Sequence, residues 1–110
     1  MIMTVESLTK ECGFEVVCMP DPDRETDGAY IGDLLSWVMG KASSGNVWIT
    51  IMSNINVIAV ATLADVSCVV LAEGVNVDAD VIAAAEAKGV NVLSSKLSAY
   101  EIAKQLHSVI

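Results

Sequence analysis

Two apolar, β-prone runs, Val47-Trp48-Ile49-Thr50-Ile51 and Val66 to Ala72, do most to limit what this chain can become. Neither alternates apolar with polar residues, as a sheet with one wet face would require; a nearly continuous run is the mark of a strand buried on both faces. Helices must then cover both faces, and parallel strands must be joined by crossovers. Between the two runs Ser53-Asn54 can cap a helix from about Ile55 to Leu63, although the Val and Ile content of that segment suits a strand as well.

The rest of the chain supplies compatible pieces. Thr4 is placed to cap a short helix carrying Val5, Leu8 and Cys12 on one stripe, with Gly13 closing it in the left-handed conformation and Phe14 to Cys18 following as a strand. Pro20-Asp21-Pro22-Asp23 breaks regular structure, and the polar run to Asp27-Gly28 has the composition of a long exposed loop. Ala29-Tyr30-Ile31 is a short strand, after which Gly32 turns the chain into a helix capped by Asp33 and running through Leu34, Leu35, Trp37, Val38 and Met39. Downstream, Asp78 or Asp80 opens a helix over Val81 to Lys88 that stops at Gly89, and Val90 to Leu93 is a further short strand. Ser98-x-x-Glu101 forms a capping box, with Leu97 and Ile102 as its hydrophobic staple. The expected fold is α/β: a single compact domain over residues 1–110 with a mostly parallel sheet flanked by helices.

Apolar residues make up 54% of the 110 and charged residues 18%, so the chain can bury a sizeable core. With 6 Lys and Arg against 14 Asp and Glu the formal charge is −8, which repels nucleic acid and anionic membranes. No apolar stretch approaches the roughly 18 residues of a spanning helix, and no basic segment precedes an apolar one at the N-terminus; a cytoplasmic protein is expected. Cys12, Cys18 and Cys68 form no C-x-x-C pair and sit among apolar neighbours, as free thiols in a core do. With His107 as the one histidine, no zinc site and no cofactor is expected.

Familiar catalytic patterns fail residue by residue. Asp23-x-Glu25-x-Asp27-Gly28 imitates the opening of an EF-hand loop, but Leu34 stands where the bidentate Glu must be. Gly40-Lys41-Ala42 lacks the spaced glycine and the hydroxyl of a phosphate loop. His107 lies in the last helical turn, and no G-x-S-x-G surrounds a serine. What remains is the edge beyond the carboxyl ends of the strands, where anions favour helix starts. Thr50 to Asn54, Glu73-Gly74 and Ser94-Ser95-Lys96 all fall there, although helix capping would select the same residue types. The apolar excess, Trp37 and Trp48 included, is large for a monomer of this size and points to a homodimer joined through Leu34, Leu35, Trp37 and Val38.

The string from Asp23-Arg24-Glu25-Thr26-Asp27-Gly28 through Ala29-Tyr30-Ile31-Gly32-Asp33-Leu34-Leu35 resembles the signature of the DRTGG domain family. The likeness continues through Gly45-Asn46-Val47-Trp48-Ile49-Thr50 and Lys96-Leu97-Ser98-Ala99-Tyr100-Glu101-Ile102-Ala103. Asp27 stands where the family usually has the first of two glycines. The resemblance implies regulation rather than catalysis. Such domains accompany CBS domains in regulated pyrophosphatases, where they contribute to subunit association, and stand alone near genes of iron-only hydrogenases. Their fold is similar to the N-terminal domain of HPr kinase/phosphorylase, with no kinase domain present in this chain.

The combined expectation is a homodimeric, non-catalytic module that senses an anionic metabolite, a nucleotide among them. Asp23 and Arg24 would fix the loop, with Arg24 reaching a carboxylate or a ligand phosphate, and Gly28 and Gly32 would admit backbone geometry that a side chain forbids. Thr50, Ser53, Asn54, Ser95 and Lys96 would line the ligand pocket. The rival expectation is an assembly protein without a small ligand that docks a larger metabolic or redox enzyme, hydrogenase-related by family context.

Overall fold

In the computed structural model, which describes residues 2–110, the two apolar runs become adjacent parallel strands in the middle of a five-stranded sheet. The chain runs α1 (Val5–Cys12), β1 (Glu15–Cys18), β2 (Ala29–Ile31), α2 (Leu35–Lys41), β3 (Val47–Thr50), α3 (Ile55–Ala64), β4 (Cys68–Leu71), α4 (Ala79–Lys88), β5 (Val92–Ser94) and α5 (Ala99–His107). The sheet order is β1-β5-β4-β3-β2, parallel throughout except that β1 runs antiparallel to β5, with an irregularity between Val16 and Cys18. The α/β fold, a compact single domain with a mostly parallel sheet, is as expected.

Alternate residues of the central strands face opposite ways, which is why no polar residue can interrupt them. Trp48, Val69 and Leu71 pack with Val38, Val57, Ile58 and Ala85 beneath α2, α3 and α4. Val47, Ile49, Cys68 and Val70 pack with Val5, Leu8, Ile102 and Leu106 of α1 and α5. Trp48 is fully buried, and its indole Nε1–H donates to the Gly32 carbonyl at 2.9 Å. One of the two tryptophans that suggested an interface is therefore core.

The segment open to either reading is a helix. The Asn54 side chain accepts the Asn56 N–H at its start, Thr62 Oγ1 donates back to the Ile58 carbonyl, and Asp65 ends it in the left-handed conformation with φ 57°. The β-branched content is accommodated because Val57, Ile58 and Val60 are buried, and packing overrides a weak local propensity. The capping box of α5 is present in full. The start of α2 differs from expectation. Leu34 occupies the cap position without a side-chain hydrogen bond. Asp33 instead accepts from Thr50 Oγ1 at 2.7 Å and from the Ile51 N–H at 3.0 Å, joining β2 to the end of β3.

Candidate functional site

The direction of β2 decides where the signature lies. The loop Asp23 to Gly28 precedes this strand and Gly32 follows it, so the two ends of the motif fall on opposite edges of the sheet, about 13 Å apart at ~3.3 Å per residue. The nine residues expected to serve ligand binding are accordingly divided. Asp23, Arg24 and Gly28 are at the amino edge of the parallel strands; Gly32, Thr50, Ser53, Asn54, Ser95 and Lys96 are at the carboxyl edge. The five residues expected to line the pocket share the carboxyl edge, and strand direction, readable in the sequence once β2 is taken as parallel, is the signal that separates them from Asp23, Arg24 and Gly28.

At the amino edge the loop is a structural hub. Arg24 and Pro22 carbonyls accept the Val5 and Glu6 N–H groups, satisfying donors that the first turn of α1 leaves free. Thr26 is buried, with both its N–H and its Oγ1 donating to the Met3 carbonyl. The Arg24 guanidinium spans to the far end of α3: Nη1 donates to Asp65 Oδ1 and Nη2 to the Asp65 carbonyl, both at 3.0 Å, while Ser44 Oγ donates to Asp65 Oδ2. Hydrogen bonds from Arg24 and then Ser44 hold the Asp65 carboxyl below the usual carboxylate range. Arg24 thus reaches a carboxylate, as one of its two expected roles required. Asp23 is exposed at the tip of the loop. Gly28 has φ 69°, and a Cβ there would come within 3.3 Å of Asn46 Nδ2. Gly32 has no such φ; a Cβ there would meet the Tyr30 ring at 2.9 Å, so crowding is the reason for glycine.

Asn91 was missed by sequence reading. Buried in the turn before β5, its Oδ1 accepts the Asp21 N–H, and its Nδ2 donates to the Asp21 and Ser67 carbonyls at 2.7 and 3.0 Å. A lone Asn between two valines carries no local sign of a partner 70 residues away. Asp65 and Ser44 were missed for the same reason.

At the carboxyl edge three of the expected polar side chains already make hydrogen bonds. Thr50 Oγ1 donates to Asp33 and accepts the Met52 N–H, Asn54 caps α3, and Ser95 Oγ accepts the Leu97 N–H. Ser53 is half-buried, and Lys96 is exposed with its stem over Gly74. The loops after β4 and β5 are tied together by Glu73 N–H to the Leu97 carbonyl and Gly74 N–H to the Ser95 carbonyl, both 2.9 Å. Glu73 holds φ 62°, a conformation a non-glycine residue adopts at a cost of about 1 kcal/mol. This edge offers one mobile cation, hydroxyls and backbone N–H groups. His107 lies away from this edge, in the groove between β2 and α5.

The helix expected to form an interface is two-sided. Leu34 and Trp37 are 60% and 58% exposed, and Lys41 Nζ lies 5.1 Å from the centre of the Trp37 ring. Leu35 is half-buried, and Val38 is fully buried against the sheet, so Val38 cannot belong to a surface interface and is corrected to core. Ile31, Ile51 and Ile55 are also about half exposed near the same end of β2 and β3. Among the described residues no three of His, Cys, Asp and Glu converge to hold a metal ion, and no helix is long and apolar enough to cross a membrane.

Curated proteins give no match to this sequence. By fold the chain is similar to the crystal structure of the CBS and DRTGG domains of the regulatory region of Clostridium perfringens pyrophosphatase, complexed with the activator diadenosine tetraphosphate. The TM-score is 0.76 at 10% identity, over 94% of this chain and 46% of that one, so this chain spans about half the length of the solved structure it matches. The family model for the DRTGG domain matches residues 8–109, which takes in every strand and all but the first turn of α1, and the chain therefore belongs to the DRTGG domain family.

Proposed function

We propose that this chain is a non-catalytic regulatory module that works as a cytoplasmic homodimer and responds to an anionic metabolite, a nucleotide among the candidates. The observation that carries the reading is the pair of large apolar side chains, Leu34 and Trp37, left in water on the helix that follows the signature. In the dimer these meet their counterparts through α2, while Leu35 and Val38 support the face from within. The ligand lies at the carboxyl edge, with Lys96 as its cation and Ser53 and the Glu73-Gly74 backbone beside it; Arg24 and Asp23 belong to the scaffold. Family membership supports a regulatory role. So does the fold neighbour, a regulatory region crystallised with a nucleotide activator.

The test has two arms. Sedimentation of the wild type should give a dimer that Trp37→Glu reduces to a monomer, with unchanged far-UV circular dichroism. Thermal shift against adenine and guanine nucleotides and coenzyme A species should give a selective hit, since ligand at 100 times Kd adds about 2.7 kcal/mol. Lys96→Ala should abolish that hit without lowering the midpoint of the free protein. A monomeric wild type would refute the dimer. Silence to every ligand, combined with capture of one enzyme that Trp37→Glu loses, would replace sensing by docking to a metabolic or redox enzyme through the same face.

A further inference from the structure

The outer edge of β2 is bordered by a groove that none of the roles above uses. Val47 N–H donates to the Gly28 carbonyl and Gly32 N–H to the Ile49 carbonyl. With Ala29, Tyr30 and Ile31 in register with Val47, Trp48 and Ile49, the N–H and C=O of Tyr30 face β3 and those of Ala29 and Ile31 face outward. Among the described residues nothing pairs with them. The side chains of Ala29 and Ile31 point toward α5 and, with Ala103, Leu106 and Ile110, line a cavity of about 330 Å³ that His107 also borders. Sharing Gly28 and Ile110 with it is a second cavity of about 370 Å³, bordered by Glu25 and Asp27. The line of the missing strand is already begun, because Thr4 bridges Glu25 antiparallel and Thr26 N–H donates to the Met3 carbonyl.

We infer that this edge docks an extended segment of a partner protein, added antiparallel to β2, with apolar side chains in the α5 groove and a lysine or arginine against Glu25 and Asp27. Charge complementarity selects this occupant. The groove carries two carboxylates, and among the described residues neither cavity is lined by Lys or Arg, in a chain of net charge −8. A second copy of this chain fits poorly. The two-fold pairing that uses both outward residues of each copy is centred on Tyr30 and sets Asp27 of one opposite Asp33 of the other, and like charges facing across strands are destabilising. The dimer through α2 and the docking at β2 are separate surfaces, so either can fail without the other.

The experiment uses the full chain and fluorescent peptides of the pattern Val-Thr-Val-Thr-Lys-Thr-Lys, whose alternate side chains are apolar where they meet the α5 groove and cationic where they meet Asp27 and Glu25, read by anisotropy at about 150 mM salt, where non-specific attraction is screened. The Lys peptide should bind and its counterpart with Glu in place of Lys should not. Exchanging Glu25→Gln with Asp27→Asn, both exposed positions that leave the core intact, should weaken binding about tenfold. Methylating alternate peptide nitrogens should abolish binding in one register and spare it in the other, because only one set of N–H groups can face β2. Binding that ignores the methyl groups, or that is unchanged in the double variant, would show mere charge attraction and overturn the proposal. It would also be overturned by a wild type silent to every peptide. If in addition Ile31→Lys turned a dimer into a monomer, the edge would be occupied by a second copy.

Discussion

At Arg24 one guanidinium joins three stretches of chain that are remote in sequence: the loop before β2, the turn at Ser44 and the end of α3 at Asp65. Asp65 is a non-glycine residue at a left-handed helix end, and the hydrogen bonds from Arg24 and Ser44 offset that local cost. Its carboxyl is held below its unfolded value, so the contribution is fully present above about pH 4 and is lost as pH falls through the folded value. Arg24→Ala is expected to lower the unfolding free energy by on the order of 1 kcal/mol at neutral pH, the pair being partly exposed. That difference should shrink below about pH 4, which urea titrations of both proteins at neutral and acid pH would show. The thiols point the other way. Burial pushes Cys68 up to about 12, with Ser67 pulling weakly against it, so iodoacetamide at neutral pH should leave Cys68 unmodified in the folded protein by mass spectrometry.

Among the helix starts, that of α5 was the most legible and that of α2 the least. Ser98 and Glu101 cap α5 through neighbours three residues apart, a bond that sequence spacing alone can reveal. Ser98→Ala should therefore cost about 1 kcal/mol in chemical denaturation. Asp33 stands in an equally good position to cap α2, yet its carboxylate binds the Thr50 hydroxyl across the sheet, a competitor 17 residues away that no local pattern discloses. The same contrast governs the site. The strands were legible because burial on both faces leaves a continuous apolar run, and the carboxyl-edge residues followed from them. The role of the signature loop was not legible, because its partners Asp65, Ser44 and Asn91 come from distant turns with no pattern of their own. Reading β2 for its direction as well as its existence would have separated Arg24 from Lys96.

For the whole molecule, the loop between β1 and β2 and the first strand itself are both held from the far end of the chain. Asn91 grips Asp21 from the turn before β5, and Glu15 pairs with Ser94 within β5. Asn91→Ala would strand the Asp21 backbone groups and a buried Ser67 carbonyl, at a cost of about 2 kcal/mol measurable by urea unfolding. The antiparallel join has a temporal consequence as well. While the chain emerges from the ribosome, β1 is made before its one sheet neighbour, β5, so its ladder cannot form until Val92 to Ser94 are out, although α1 and Arg24 find their partners in β3, β4 and Asp65 earlier. Nascent chains stalled with Asn91 and Val92 still inside the ribosome should be cut by protease between Pro20 and Asp23, and the folded protein should resist.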